Sequence, residues 1–149
     1  MQIYLKGRTV LRLRSTQKFC SITEVQKMVS AATRSFDSPD ETKTPPKTNA
    51  ATIKLGDIAI TKVQLEPGWK WSECVKPLVG GESCQAGHVG VVVQGSIHVV
   101  QDDGTEVTAS TGDAYYFGPG HDGWIVGDET FIGYEFSQDA KDFGPWKTA

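Results

Sequence analysis

The stretch that decides the fold is GESCQAGHVGVVVQG, residues 81–95. It contains Cys84 and His88, four residues apart among glycines, followed by a valine-rich run that ends at Gly95. Valines favour strands and glycines favour the turns between them. The stretch therefore predicts a strand with two metal-ligand types at its beginning. It also poses a question, because the same two side chains could simply occupy a tight turn.

Short strands and turns continue from residue 51 to residue 136. ATIKLGDIAITKVQLEPG holds two strand-like stretches around a Gly56-Asp57 turn, and Asp103-Gly104 is a strong two-residue hairpin signal. Seven or eight short strands with regular turn signals indicate an all-β sandwich or barrel, because alternating β-α units would need long helical patterns between the strands.

The first 34 residues differ from the rest of the chain in charge. They hold seven Lys or Arg against one acid, a net charge of +6, so the remainder carries −9 of the total of −3. Alternating apolar residues predict a strand or hairpin at the start, and Ser21 with Glu24 forms a capping box that begins a short helix. Prolines predict a linker after it. We therefore divide the chain into a basic N-terminal extension (1–34), a Pro-rich linker (35–50), a β domain (51–136) and a C-terminal tail (137–149).

Composition limits the classes of function. No apolar run approaches the roughly 20 residues that span a bilayer, and no secretory signal pattern is present. The odd number of cysteines, three, favours reduced thiols in the cytoplasm. The basic segment lacks aromatic stacking partners, and the sequence has no phosphate loop, nucleophile elbow or C-x-x-C pair. We expect a cytoplasmic protein that binds neither nucleic acid nor membrane.

The spacing within residues 82–95 resembles the first motif of the cupin superfamily, G-x5-H-x-H-x3–4-E-x6-G. Counted back from Gly95, His88 stands at the glutamate position, and Cys84 and Glu82 stand at the two histidine positions. The spacing is that of the motif, and the residue types are exchanged.

A second stretch, residues 112–127, resembles the second cupin motif, G-x5-P-x-G-x2-H-x3-N. Gly112 and Gly120 match, but Gly123 stands at the histidine position and His121 lies two residues earlier. A turn shortened by two residues would bring His121 to the ligand position. PGWKWSE and PGHDGW, residues 67–73 and 119–124, also resemble a group of small single-domain bacterial cupins with no assigned activity. The resemblance implies an all-β cupin jelly-roll barrel carrying an N-terminal hairpin/helix extension.

The resemblance also implies one divalent metal ion inside the barrel. Candidate ligands are His88, His121, Cys84 and Glu82, and oxygen, sulfur and nitrogen donors together suit zinc or iron. Asp122 could orient the His121 ring or form a turn. In the alternative interpretation the metal has been lost, Cys84 packs as a small apolar residue and the histidines are hydrogen-bonded polar groups.

Aromatic residues near both motifs are candidates for a ligand pocket, with a plain core role as the alternative. The expected pocket-lining residues are Trp69, Trp71, Glu73, Tyr115 and Trp124. Two functions remain open: a metal-dependent cupin enzyme acting on a small organic molecule, and a non-catalytic small-molecule-binding or sensory cupin without a metal. Neither substrate nor reaction follows from the sequence. By resemblance to small cupins we expect a homodimer in either case.

Overall fold

A computed structural model describes residues 31–137 of the chain. The predicted N-terminal hairpin, most of the predicted helix and the C-terminal tail lie outside these residues, and residues 31–34 are not helical. The elements are β1 (Glu41–Lys43), β2 (Thr48–Leu55), β3 (Ile58–Leu65), α1 (Trp71–Cys74), α2 (Lys76–Val79), β4 (His88–Gln94), β5 (Ser96–Gln101), β6 (Glu106–Ser110), β7 (Ala114–Phe117), β8 (His121–Ile125) and β9 (Phe131–Ser137).

The strands form two antiparallel sheets. Six of them are ordered β1-β2-β3-β9-β4-β7, and three are ordered β6-β5-β8. Buried side chains from both sheets join in one apolar core, to which β9 contributes Phe131 and β5 contributes Val99. Burial of each such side chain is worth about 1.5–3 kcal/mol. The all-β prediction is confirmed.

The sheet begins earlier in the chain than the sequence suggested. Strand β1 and the first residues of β2 fall within 35–50, the segment expected to be a linker. Pro39, Pro45 and Pro46 flank β1 and do not interrupt it. β1 is also the edge strand of its sheet, where nearby prolines are tolerated.

Strand alternation directs a set of side chains into the space between the sheets. On β4 the buried positions are His88, Gly90 and Val92; on β8 they are His121, Gly123 and Ile125; on β9 they are Phe131, Gly133 and Glu135. Because successive side chains on a strand point to opposite faces, each histidine begins the inward row of its strand.

Cys84 lies before β4, outside the named strands, and its backbone pairs with the start of β8. The Cys84 N–H donates to the His121 carbonyl at 2.7 Å, and the Gly120 N–H donates to the Cys84 carbonyl at 2.7 Å. This short bridge holds the cysteine beside His121, although the two residues are far apart in sequence.

Candidate metal centre and its cavity

Three buried side chains with metal-ligand atoms meet at one end of the inward rows. The ligand atoms of Cys84, His88 and His121 all lie within 4.8 Å of one another, and Cys84 Sγ is 3.7 Å from His88 Nε2. A tetrahedral zinc ion with Zn–S near 2.3 Å and Zn–N near 2.0–2.1 Å holds its donors roughly 3.3–3.6 Å apart. The three side chains therefore fit a single metal ion after a small contraction.

The His121 ring is fixed by the turn that precedes β8. Its Nδ1 lies 2.6 Å from the carbonyl oxygen of Gly118, which accepts a hydrogen bond from Nδ1–H. This bond leaves Nε2 facing the cluster, where it can bind a metal ion or, without a metal, hydrogen-bond to Cys84. Asp122 does not orient the ring. Its carboxylate instead accepts hydrogen bonds from the backbone N–H groups of Ser72 and Gly123, which ties α1 to β8.

The His88 ring is fixed by a carboxylate on the neighbouring strand. Its Nδ1 lies 3.1 Å from the carboxylate of Glu135 on β9, and the Tyr115 hydroxyl donates to Glu135 Oε1 at 3.2 Å. Metal-binding histidines usually donate their second N–H to a carboxylate or carbonyl in this way. Both histidines of the cluster therefore have an outer acceptor on Nδ1 and present Nε2 inward.

Glu135 was missed by sequence reasoning, although a signal for it exists. In FIGYEF, residues 131–136, it shares strand parity with Phe131 and Gly133, and all three are buried. A carboxylate on the buried face of a strand needs a hydrogen-bonding partner. That parity identifies Glu135 as a polar residue of the interior.

The surroundings shift the pKa values of the cluster in opposite directions. Burial raises the pKa of the Cys84 thiol, but hydrogen bonds with His121 and His88 outweigh it and lower the pKa from 9.0 to about 6. Burial lowers the pKa of His88, but the charge of Glu135 and the bond to Cys84 outweigh it and raise the pKa from 6.5 to about 10. Without a metal, these two shifts favour a thiolate at Cys84 beside an imidazolium at His88 at neutral pH.

A cavity of about 60 Å³ opens beside the cluster. A single buried water needs roughly 10–15 Å³, so there is room for a small ligand. Its walls are mostly apolar and include all three cluster residues and Glu135. Of the residues expected to line a pocket, Trp69, Trp71 and Tyr115 do so.

The other two expected pocket residues lie elsewhere. Trp124 and Glu73 border a shallow surface groove next to Lys70, and the Trp124 ring packs against His98 at a centroid distance of 4.7 Å. On β8 the inward positions are 121, 123 and 125, so residue 124 faces the opposite side.

Glu82 is not brought to the cluster. Its side chain is fully exposed and pairs with Lys76 Nζ at 3.2 Å, whereas Cys84 is buried. Residues 82 and 84 would point to the same face only if both lay on one strand. The chain instead turns there, through Gly80 and Gly81, both with positive φ.

Comparison with known proteins supports the fold and leaves the activity open. No protein-family model matches the sequence, and no curated protein is significantly similar to it. Three solved structures each superpose with a TM-score of 0.52. An RmlC-like cupin from Shewanella frigidimarina is 17% identical, with 77% of this chain and 97% of that chain covered. A protein of unknown function from Rhizobium leguminosarum is 19% identical, with 73% and 97% covered. A mutant of Bacillus subtilis oxalate decarboxylase is 17% identical, with 74% and 30% covered.

The described part of the chain therefore has the cupin jelly-roll fold, as the two motifs predicted. At these identities the likeness defines the fold, and the site must be interpreted from its own residues. Within residues 31–137, no helix is long and apolar enough to cross a membrane.

Proposed function

We propose that this cupin binds one divalent metal ion through Cys84, His88 and His121, and a small organic molecule in the adjoining cavity. The observation that carries the proposal is the arrangement of the two imidazoles. Each has its Nδ1 engaged by an outer acceptor, and each contributes a ligand atom to a group of three within 4.8 Å.

Zinc is the preferred ion in this proposal, with iron as the alternative. One thiolate, two imidazoles and an open fourth position match the pattern of catalytic zinc sites. When bound, such an ion polarises a ligand oxygen or lowers the pKa of a bound water. Glu135 and the Gly118 carbonyl hold the imidazoles in place, and the buried indoles of Trp69 and Trp71 shield the site from bulk water. A thiolate ligand also suits the reducing cytoplasm that the cysteine content suggested.

Metal content of purified protein tests the proposal. We expect about one equivalent per chain, or uptake to that level after incubation with Zn(II) or Fe(II), and loss of binding in His88→Ala and His121→Ala. His98→Ala is the matched control, because His98 bonds to Thr108 on the three-stranded sheet and is outside the cluster. Absence of uptake by the wild-type protein would contradict the proposal. Ligand stabilisation that survives both cluster variants would favour the metal-free binding module.

A second candidate function uses the same groups without a metal. Cys84, His88 and Glu135 are joined in the order nucleophile, base and orienting carboxylate, with separations of 3.7 and 3.1 Å. Thiol nucleophiles are commonly activated by such a chain. His121→Ala separates the two candidates, because it removes a metal ligand and keeps the contacts of Cys84, His88 and Glu135, although loss of the His121 hydrogen bond raises the pKa of the thiol. If enzymatic activity survives His121→Ala and is abolished by alkylation of Cys84, the result favours Cys84 as a catalytic nucleophile over the metal site.

We also propose that the protein is a homodimer, as the resemblance to small cupins implied. Support comes from the outer face of the six-stranded sheet, where Val89, Val91 and Val93 on β4 are exposed beside the exposed ring of Tyr116 on β7. Contiguous apolar patches of this kind mark association surfaces. Light scattering should show a dimer that Val91→Lys dissociates. Val107→Lys, on an exposed valine of the other sheet, should leave the dimer intact.

A further inference from the structure

The three candidate ligands are held in place in different ways. His88 begins β4, and its ring is fixed by Glu135 on the neighbouring strand. Cys84 lies on a loop outside the named strands, and His121 directly follows the turn that leads into β8. The ligands of a metal site must be held to within about 0.5 Å of their working positions. The distance between Cys84 and His121 therefore depends on what fixes the loop and the turn.

Asp102, in the hairpin between β5 and β6, binds both the loop and the turn. Its carboxylate accepts a hydrogen bond from the Ser83 hydroxyl at 2.7 Å, and its backbone N–H donates to the Gly120 carbonyl at 2.7 Å. Ser83 directly precedes Cys84 in the chain, and Gly120 directly precedes His121. One residue outside both motifs thus holds the chain neighbours of two candidate ligands.

The hairpin and the turn also pack closely against each other. A Cβ at Gly120 would lie 2.8 Å from Asp102 Oδ2, and Gly120 has a φ of 88°, which favours glycine. The Gln101 amide, with its nitrogen directed at the turn, donates to the Gly120 carbonyl at 2.9 Å and accepts from the Gly118 N–H at 3.3 Å. Gly118 is the residue whose carbonyl fixes the His121 ring. The hairpin therefore determines where the turn places this ligand.

The hairpin closes through contacts that do not involve the Asp102 carboxylate. The Gly104 N–H donates to the Gln101 carbonyl at 2.9 Å, and the Asp103 carboxylate accepts from the Thr105 N–H at 2.8 Å. The Asp102 carboxylate instead points away from its own hairpin and binds the loop that carries Cys84. Its contact is therefore suited to fixing that loop.

We propose that Asp102 is a positioning residue of the metal centre, which holds Cys84 and His121 at the separation that a single metal ion needs. This inference rests on the proposed function, because it takes these two side chains as ligands. The carboxylate acts on Cys84 through Ser83, and the backbone N–H acts on His121 through Gly120. A hydrogen bond to an ionised carboxylate is roughly twice as strong as a neutral one, so its loss should loosen the loop.

Titration of the full chain with Co(II) tests the proposal, because the near-ultraviolet absorbance of cobalt reports its bond to a thiolate. Asp102→Ala and Ser83→Ala should each weaken Co(II) binding by about 10-fold, the lower end of the usual effect of losing a contact behind a ligand. The double variant should be no weaker than either single variant, because both changes remove the same hydrogen bond. Asp102→Asn should recover affinity, since its amide oxygen can still accept from Ser83.

Asp103→Ala is the matched control. It removes the same charge from the next residue of the hairpin, where the carboxylate bonds to the Thr105 N–H and not to the loop. This variant should keep the wild-type affinity for Co(II) and the wild-type absorbance. Equal weakening by Asp103→Ala and Asp102→Ala would overturn the proposal, because the effect would then come from charge or hairpin stability.

Amide hydrogen exchange of the metal-free protein gives a second measurement that does not require metal binding. The Cys84 N–H donates to the His121 carbonyl, and the Gly120 N–H donates to the Cys84 carbonyl. Both amides should exchange faster in Asp102→Ala than in the wild type or Asp103→Ala. The Val92 N–H, which bonds within the six-stranded sheet region to the Asp113 carbonyl, should keep its rate and so exclude global destabilisation as the cause.

Two further results would overturn the proposal: wild-type affinity for Co(II) in Asp102→Ala, or unchanged exchange of the Cys84 and Gly120 amides in that variant. If the wild-type protein takes up neither Co(II) nor Zn(II), the proposed metal binding fails. The exchange rates then decide by themselves whether Asp102 holds Cys84 beside His121. A failure of metal binding is therefore distinguished from a failure of the positioning contact.

Discussion

Tyr115 on β7 reaches across the whole width of β4 to donate its hydroxyl hydrogen bond to Glu135 on β9, at 3.2 Å. The residue between them is Gly90, which is paired in register with both. A Cβ at Gly90 would lie 2.6 Å from the Tyr134 carbonyl oxygen and 2.7 Å from the Tyr115 ring. The missing side chain at Gly90 is what permits the tyrosine to hold the carboxylate that in turn holds His88.

Gly90→Ala should lower the free energy of unfolding by about 1–3 kcal/mol, because overpacking forces the tyrosine and the backbone apart. Urea denaturation of the wild-type protein and of Gly90→Ala measures this difference. Gly87→Ala is the matched control, since a Cβ there would meet nothing nearer than 3.9 Å and its φ is not positive. Equal stabilities of the two variants would show that Gly90 is not required for close packing.

Glu135→Gln should weaken zinc binding by about 10- to 100-fold, the usual effect of losing the carboxylate behind a histidine ligand. The amide keeps the shape of the side chain and removes the charge that supports His88. Competition with a chromophoric chelator measures the affinity. Glu82→Gln changes an exposed carboxylate that pairs with Lys76 and should have no effect. A loss of zinc affinity in Glu82→Gln would instead indicate that Glu82 takes part in metal binding.

The thiol of Cys84 should make the stability of the metal-free protein depend on pH. Its folded-state pKa of about 6 lies below its ordinary value of 9.0. The thiolate therefore contributes stability that is fully present above pH 9.0 and is lost as the pH falls through about 6. The difference in unfolding free energy between the wild type and Cys84→Ser should shrink as the pH is lowered through this range.

Ultraviolet absorbance of the thiolate, titrated in the same metal-free protein, gives the pKa directly. Cys74→Ser is the control, because it leaves the cluster intact and should keep the wild-type titration and pH dependence. Absence of a thiol that titrates near 6 from folded Cys74→Ser protein, or its persistence in Cys84→Ser, would contradict the ion-pair description of the cluster.

Moving the histidine from 121 to 123 should not restore metal binding. A Cβ at Gly123 would lie 3.1 Å from Val99 Cγ2 and 3.2 Å from the His98 carbonyl oxygen, so a larger side chain there is crowded. We expect the double variant His121→Ala, Gly123→His to bind no zinc and to unfold at lower temperature than His121→Ala alone. Recovery of zinc binding would show that the position of the ligand on β8 is interchangeable.

His121 lies two residues before the histidine position of the second motif. This spacing explains why the sequence could locate much of the cluster. Side chains on a strand repeat every two residues, so a histidine two positions from the expected one still points inward, about 6–7 Å along the strand. For the same reason, strand parity could have placed Trp124 on the opposite side of β8.

Two features of the site could not follow from the motifs. Glu135 lies outside both, 47 residues from His88, and its contact depends on β9 lying beside β4, a sheet order that local pattern does not specify. Glu82 stands at a ligand position of the first motif, but it would point inward with Cys84 only on a strand, and two glycines turn the chain there instead. The motif spacing thus located the cysteine and the two histidines of the cluster. The order of the strands in the sheet decides which side chains surround these three residues.

X-ray absorption spectroscopy of the zinc-loaded protein tests the central claim most directly, because it reports the donor atoms themselves. The account predicts one sulfur at about 2.3 Å and nitrogen or oxygen donors, including two imidazoles, at about 2.0–2.1 Å, with the sulfur lost in Cys84→Ser. A first shell without sulfur in the wild-type protein, or a spectrum unchanged by Cys84→Ser, would contradict it.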